Sequence, residues 1–131
     1  MTPSPFNAYQ QTQRLALTPT AAEAGAFTKA ASLLGKARDN VNDYDSYSAA
    51  LNFNQLLWTV LQADLASGSN ALPDELKRIL LSLSLFVDRQ TIMALSEPKA
   101  EHLDALIEID MNLASGLRQQ LSQASGDEPL H

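Results

Sequence analysis

The segment from Leu80 to Thr91, which reads LLSLSLFVDRQT, constrains the fold of this chain more than any other. Together with its flanking residues it has helical spacing and two apolar faces. One face carries Leu76, Ile79, Leu80, Leu83, Phe86, Val87 and Met93, and the second carries Leu81, Leu85, Ile92 and Leu95. Because a helix with apolar residues on two sides is expected to be covered on two sides, we predict that this segment is the central helix of a bundle.

The same segment ends in two adjacent charges, Asp88 and Arg89. Adjacent residues on a helix point about 100° apart and cannot pair well with each other. Asp110 is a geometrically suitable partner for Arg89, which predicts an ion pair between two helices. Alternatively, the forked donors of Arg89 reach a carboxylate or a carbonyl group of a partner protein. Both interpretations remain open at this point.

The length and composition indicate one soluble domain over residues 1–131. A chain of 131 residues can bury a modest core without metals or disulfides. It has no cysteine, which excludes disulfides, thiolate metal sites and a cysteine nucleophile. We find neither an apolar run of membrane-spanning length nor a secretory signal. We therefore expect a cytoplasmic protein without a membrane contact.

The charge and the motifs exclude several classes of function. With 15 acidic and 9 basic residues, the net charge of −6 repels nucleic acid and anionic lipid. The sequence lacks a glycine-rich phosphate loop, HExxH and GxSxG. His102, the only histidine away from the C-terminus, falls in the first turn of a predicted helix, where we expect it to be solvated. We predict no enzyme activity, no metal and no cofactor.

Helical spacing and capping signals predict the remaining elements. We expect helices over residues 21–38, 46–66 and 99–123, besides the one that opens at Pro73 and ends at Ser96. The first is rich in alanine and is predicted to pack weakly. We expect residues 1–17 to form a short arm with a helix over about residues 5–13, and residues 124–131 to form a disordered tail. The predicted fold is all-α, a compact four-helix bundle with a short N-terminal helical arm.

Three other positions carry polar or aromatic groups of interest. Asn54 and Trp58 lie four residues apart on one helix face. They form either part of the core, where Asn54 needs a buried hydrogen-bond partner, or a contact patch for a bound helix. Tyr9 of the arm either docks on the bundle or contacts a partner. Asp110 falls within the apolar face of the last helix.

Several short motifs resemble those of the flagellar biosynthesis regulator FlaF, over residues 7–118. The resemblance rests on Asn7-Ala8-Tyr9, Thr12-Gln13-Arg14, Asn54 with Leu57-Trp58, Asn70 with Leu72-Pro73, the run from Ser82 to Arg89 with Thr91, Leu106-Ile107, and Asn112 with Gly116-Leu117. Three positions depart from the family pattern. Gln90 replaces a usual histidine, Asp110 a usual asparagine, and Met111 a common basic residue.

The resemblance implies a cytoplasmic factor for flagellin production and export, with flagellin as its partner and FlbT, a post-transcriptional regulator, as a second. Our hypothesis is a secretion chaperone in which two helices and the arm hold helical segments of flagellin. The predicted partner-binding residues are Tyr9, Arg14, Asn54, Trp58, Asp88 and Arg89. Two alternatives are a regulator of flagellin translation that acts through FlbT, and a structural module of a larger assembly.

Overall fold

The computed structural model describes residues 19–68 and 72–126 and confirms the all-α prediction. Four helices follow one another, namely α1 (Pro19–Arg38), α2 (Tyr44–Ala66), α3 (Asp74–Ser96) and α4 (Glu101–Gly126). Their ends fall within three residues of the predicted ones. The predicted arm, with Tyr9 and Arg14, lies outside the described residues.

Local sequence signals explain where α2 and α3 begin. The Asp43 carboxylate caps α2, because it accepts hydrogen bonds from the Ser46 hydroxyl at 2.7 Å and from the Ser46 backbone N–H at 3.2 Å. These bonds also lower the pKa of Asp43. Helix α3 begins directly after Pro73, and Asp74 and Glu75 place their charges at its positive end. The chain thus specifies these two starts locally.

The helices form a ring in which each one packs against two neighbours. The contacts are α1 with α2, α2 with α3, α3 with α4, and α4 with α1; the last is the most extensive. Helices α1 and α4 are antiparallel, since Arg38 Nη1 lies 3.0 Å from Asp104 Oδ1 and Arg118 Nη2 lies 2.6 Å from Thr28 Oγ1. The fold is therefore a four-helix bundle.

The prediction that α1 packs weakly is wrong. Four of its alanines are buried in the core, namely Ala24, Ala30, Ala31 and Ala37. Small side chains let neighbouring helix backbones approach closely. Helix α1, which has few large apolar side chains, therefore makes the most extensive contact of the bundle, with α4. The alanine face of α1 is consequently not available to a partner.

Three fully buried aromatic residues anchor the core. Phe27 of α1 packs edge-on against Trp58 of α2, with ring centroids 5.4 Å apart and an interplanar angle of 71°. The Tyr47 hydroxyl donates to the Lys99 carbonyl at 2.9 Å and accepts from the Lys99 N–H at 3.1 Å. Tyr47 thereby ties the start of α2 to the loop between α3 and α4.

The prediction that α3 is the central helix is also wrong. Only one narrow side of α3 enters the core, through Leu80, Ser84, Val87, Thr91 and Ala94. Large apolar side chains remain exposed elsewhere on it, among them Ile79 at 51%, Leu85 at 59% and Ile92 at 65%. Helix α1 packs extensively against both α2 and α4, whereas α3 makes the least extensive contacts of the four helices and keeps uncovered apolar surface.

Helix α3 is long and apolar enough to cross a membrane, and only 28% of its most apolar window is buried in the bundle. Length and composition alone do not separate such a helix from one that packs on a soluble core. Asp88 and Arg89 would lie in the hydrocarbon, where each charge costs roughly 2.5–3.5 kcal/mol. Leu80 and Val87, moreover, are buried in the bundle. We therefore interpret α3 as a bundle helix with an exposed apolar surface.

Candidate functional site

The candidate site is an apolar groove between α3 and α4, with a volume of about 360 Å³. Helix α3 and the residue before it contribute one wall, and α4 contributes the other. The lining residues are Leu72, Leu76, Ile79, Leu80, Leu83, Ile109, Asn112, Leu113, Gly116 and Leu117. We call this surface the α3–α4 groove.

The groove exists because α3 and α4 contact each other less extensively than the other neighbouring pairs do. Near their connecting loop they are joined by Gln90 Nε2, which donates to the His102 carbonyl at 2.9 Å. The lining residues all lie farther from this loop along both helices. The pair is thus closed at the loop end and open at the other end.

The chemistry of the α3–α4 groove is uniform. Among the described residues its lining contains no charged side chain, and Asn112 supplies the one polar side chain. Gly116 lies on the α4 wall, and a methyl group added there would meet nothing within 4 Å. Such a surface can take up apolar side chains and admit a close backbone, but it offers nothing for acid–base or phosphate chemistry.

A buried polar cluster crosses the bundle diagonally and holds α4 against α2. Trp58 Nε1 donates to Asp110 Oδ1 at 3.1 Å. The Asn54 amide nitrogen donates to the same carboxylate, at 2.6 Å from Oδ2 and 3.2 Å from Oδ1. The amide is oriented in this way because the reverse orientation would set its oxygen against the carboxylate oxygens. All three side chains are fully buried.

Burial dominates the ionisation of Asp110. It raises the pKa of this carboxyl group to about 7, and the indole N–H of Trp58 opposes the rise. The donated hydrogen bonds of Asn54 act in the same direction as that of Trp58, since they also favour the charged form. Asp110 is thus a titratable group in the interior of the bundle, next in sequence to the groove residue Ile109.

The predicted ion pair between Arg89 and Asp110 is wrong. Asp110 points into the core and is satisfied by Trp58 and Asn54. Arg89 is exposed, and among the described residues it forms no ion pair. Asp110 lies on the inward face of α4, as predicted. Arg89, however, lies on the side of α3 that is turned away from the core.

The other predicted site residues occupy different places. Asn54 and Trp58 are buried, as their interpretation as core residues predicts, so a partner would reach them only if the bundle opened. Asp88 is half-buried and accepts a hydrogen bond from Gln55 Nε2 of α2 at 2.5 Å. The oxygen of that Gln55 amide is buried and has no hydrogen-bond partner within residues 19–68 and 72–126. None of these residues lines the α3–α4 groove.

The sequence did not predict that the residues lining the groove form a binding site. Ile79 and Leu83 were assigned to a covered side of α3, and Gly116 to a family motif. One signal could have located the groove. Helix α3 carries more apolar positions than a helix with one packed side needs, which predicts uncovered apolar surface if it is not central.

The described part of the chain contains no group of three or more His, Asp or Glu residues that could hold a metal ion. Comparison with known protein families gives one match. The family model described as "Flagellar protein FlaF" matches residues 5–117, which is most of the chain. No curated protein and no solved structure shows a significant match.

Proposed function

Because the chain belongs to the FlaF family of flagellar proteins, we propose that it is a cytoplasmic secretion chaperone that binds flagellin and supports flagellin synthesis and export. FlaF is a flagellar family and not a known enzyme family, which agrees with the absence of catalytic motifs in the sequence. The observation that carries the proposal is the open, uncharged α3–α4 groove.

The dimensions of the groove suit a helical segment. Within α3 its wall runs from Leu76 to Leu83, a separation of seven residues that at 1.5 Å per residue is roughly 10 Å or two helical turns. A docked amphipathic helix of that length presents apolar anchors at positions i, i+3 or i+4, and i+7. The open space beside Gly116 lets the backbone of such a helix come close to α4.

Binding in this groove accounts for a chaperone action without any chemistry. An assembly subunit must keep its own apolar helical surface covered before export, or it polymerises early. The acidic surface of the protein, with its net charge of −6, discourages self-association of the complex. In this mechanism the groove covers one segment of flagellin and releases it at the export apparatus.

The predicted partner residues then divide into two groups. Tyr9 and Arg14 of the arm are proposed as additional flagellin contacts. Asn54 and Trp58 are proposed to act indirectly, because they hold Asp110 of α4 and so set the position of the groove wall. Asp88 and Arg89 lie on a different surface of α3, away from the α3–α4 groove.

Calorimetric titration of monomeric flagellin into the protein tests the proposal. We expect a complex whose affinity changes little between low and high salt, because the groove is uncharged. Ile79→Ser, at a groove position that is 51% exposed, is expected to weaken binding about tenfold. The matched control is Leu56→Ser, which changes a 61% exposed residue of α2 that does not line the groove.

The outcome also separates this proposal from its main alternative. If no co-encoded flagellin binds while FlbT does, the protein is a regulator of translation that works through FlbT, and the chaperone proposal is wrong. If Ile79→Ser and Leu56→Ser change the flagellin affinity equally, flagellin is still the partner, but the α3–α4 groove is not its binding site.

A further inference from the structure

A second surface lies on the opposite side of α3, in a cleft between α2 and α3 of about 540 Å³. Its lining residues are Gln62, Arg78, Leu81, Ser82, Ser84, Leu85 and Asp88. The exposed side chains of Arg89 and Ile92 continue this surface along α3. We call it the α2–α3 cleft.

This cleft differs from the α3–α4 groove in its charge. Arg78 and Arg89 are separated by 11 residues, so they lie on one face of α3, about 16 Å apart along the axis. Both are exposed, and neither forms an ion pair within the described ranges. Between them lie the apolar Leu81 and Leu85. The surface is thus an apolar strip with an arginine near each end, in a protein whose net charge is −6.

Among the described residues that line the cleft, Asp88 is the one acid, and it lies on a different side of α3 from the arginines. Asp88 lies on the α2 side of the strip, where it accepts the hydrogen bond from Gln55. The arginines lie on the outward side, 80–100° around the helix at 100° per residue. A bound segment would therefore meet positive charge on the outward side of the strip.

We propose that the α2–α3 cleft binds an amphipathic helix of a partner protein whose apolar stripe is flanked on one side by acidic residues about three turns apart. Charge complementarity selects this occupant, because each arginine can then pair with a carboxylate while Leu81 and Leu85 become covered. The proposal is independent of what occupies the α3–α4 groove, since the two surfaces lie on different sides of α3.

Charge also disfavours two other occupants. A second copy of this chain docked by the same face would bring four arginines together, and the nearby Asp88 carboxylates are already hydrogen-bonded to Gln55. An anionic bilayer would attract the two arginines but repel the rest of an acidic molecule.

Fluorescence anisotropy with designed helical peptides tests the proposal on the full chain. The probe has a leucine stripe and two glutamates 11 residues apart on one flank, and its control has lysines at those two positions. We expect the glutamate peptide to bind at least about tenfold more tightly at low salt, with the preference falling as salt rises. Equal binding of the two peptides would overturn the proposal.

Substitutions in the protein locate the binding surface. Arg89→Glu should lower the affinity for the glutamate peptide by about fivefold or more, because it replaces an exposed arginine–glutamate pair with repulsion between two carboxylates. Lys36→Glu makes the same charge change at an exposed site of α1 and should leave the affinity unchanged. Leu85→Ser, at a 59% exposed position, should weaken the binding of both peptides without unfolding the bundle. Equal effects of Arg89→Glu and Lys36→Glu would contradict the assignment.

Two further measurements decide between the occupants. Light scattering that shows a dimer abolished by Leu85→Ser would assign the cleft to a second copy of the chain. Co-sedimentation with phosphatidylglycerol vesicles that is lost in Arg89→Glu would assign it to a lipid surface. Either result would overturn the proposal of a protein helix, whereas a monomer that stays in the supernatant supports it.

Discussion

The indole of Trp58 donates a hydrogen bond to the buried carboxylate of Asp110 across the centre of the bundle, from α2 to the diagonally opposite helix α4. These two helices are not neighbours in the ring. The polar cluster therefore connects elements that the apolar packing of neighbouring helices does not connect. An ionisable group at this position makes the stability of the fold depend on pH.

We predict that Asp110 lowers stability as the pH rises from about 4 to 7. Its pKa is about 7 in the folded protein against an ordinary value of 3.8, so in this range the folded state holds a proton that the unfolded state has released. The resulting loss is on the order of 2–4 kcal/mol, with the lower end favoured because Asn54 also donates to the charged form. Above pH 7 this contribution stays constant.

Asp110→Asn tests this prediction by urea unfolding at pH 4 and pH 8. The asparagine oxygen can still accept from Trp58, and the Asn54 amide can rotate to present its oxygen, so we expect the fold to be retained. Relative to the parent protein, the variant should gain roughly 2–4 kcal/mol of unfolding free energy on going from pH 4 to pH 8. A stability difference that is the same at both pH values would show that Asp110 does not titrate in this way.

We also predict that the hydroxyl of Tyr47 stabilises the bundle while that of Tyr44 does not. Tyr47 is buried and bonds both the N–H and the carbonyl of Lys99, so Tyr47→Phe should cost about 1–2 kcal/mol. Tyr44 is 47% exposed and bonds only the Leu95 carbonyl, at 3.2 Å, so Tyr44→Phe should cost less than about 0.5 kcal/mol. Thermal unfolding of the two matched variants measures the difference, and equal costs would argue against the anchoring role of Tyr47.

The fold class was predictable because helix signals are local. The prolines at helix starts and the 3.6-residue spacing each act within a few residues, and they predicted the four described helices to within three residues at each end. The Asp43 cap acts as locally, but it was not recognised in the sequence. The inward position of Asp110 followed from the same spacing. These features need no knowledge of which helix packs against which.

The arrangement of the helices was not predictable in the same way. The apolar residues of α3 indicated coverage on two sides, but coverage depends on the partners that the other helices choose. The buried alanines of α1 permit the most extensive contact of the bundle, with α4, whereas α3 makes the least extensive contact with α4. The hydrogen-bond partners of Asp110 likewise depend on how the helices pack. In the bundle Trp58 and Asn54 of α2 lie next to Asp110, whereas Arg89 is exposed to solvent.

The glycines in the helix interiors offer a further prediction about stability. A methyl group added at Gly35 would meet nothing within 4 Å, so Gly35→Ala removes backbone freedom from the unfolded chain without a clash. We expect the free energy of unfolding to rise by about 0.5–1 kcal/mol. Urea unfolding at one pH measures this, and a decrease in stability would show that the helix is tighter there than the structure indicates.

The last prediction concerns Gly116, which lines the α3–α4 groove. Gly116→Leu fills the open space on the α4 wall and should weaken flagellin binding at least about tenfold, because a docked helix can no longer approach α4 closely. Gly25→Leu is the matched control, since Gly25 is an exposed helix-interior glycine of α1 with equally open surroundings and no place in the groove. Both variants should fold, because neither introduced side chain meets a neighbour at its first atom. Calorimetric titration of flagellin into each variant then separates the effect on the groove from any general effect of a larger side chain, and an unchanged affinity of Gly116→Leu would exclude this wall from the binding site.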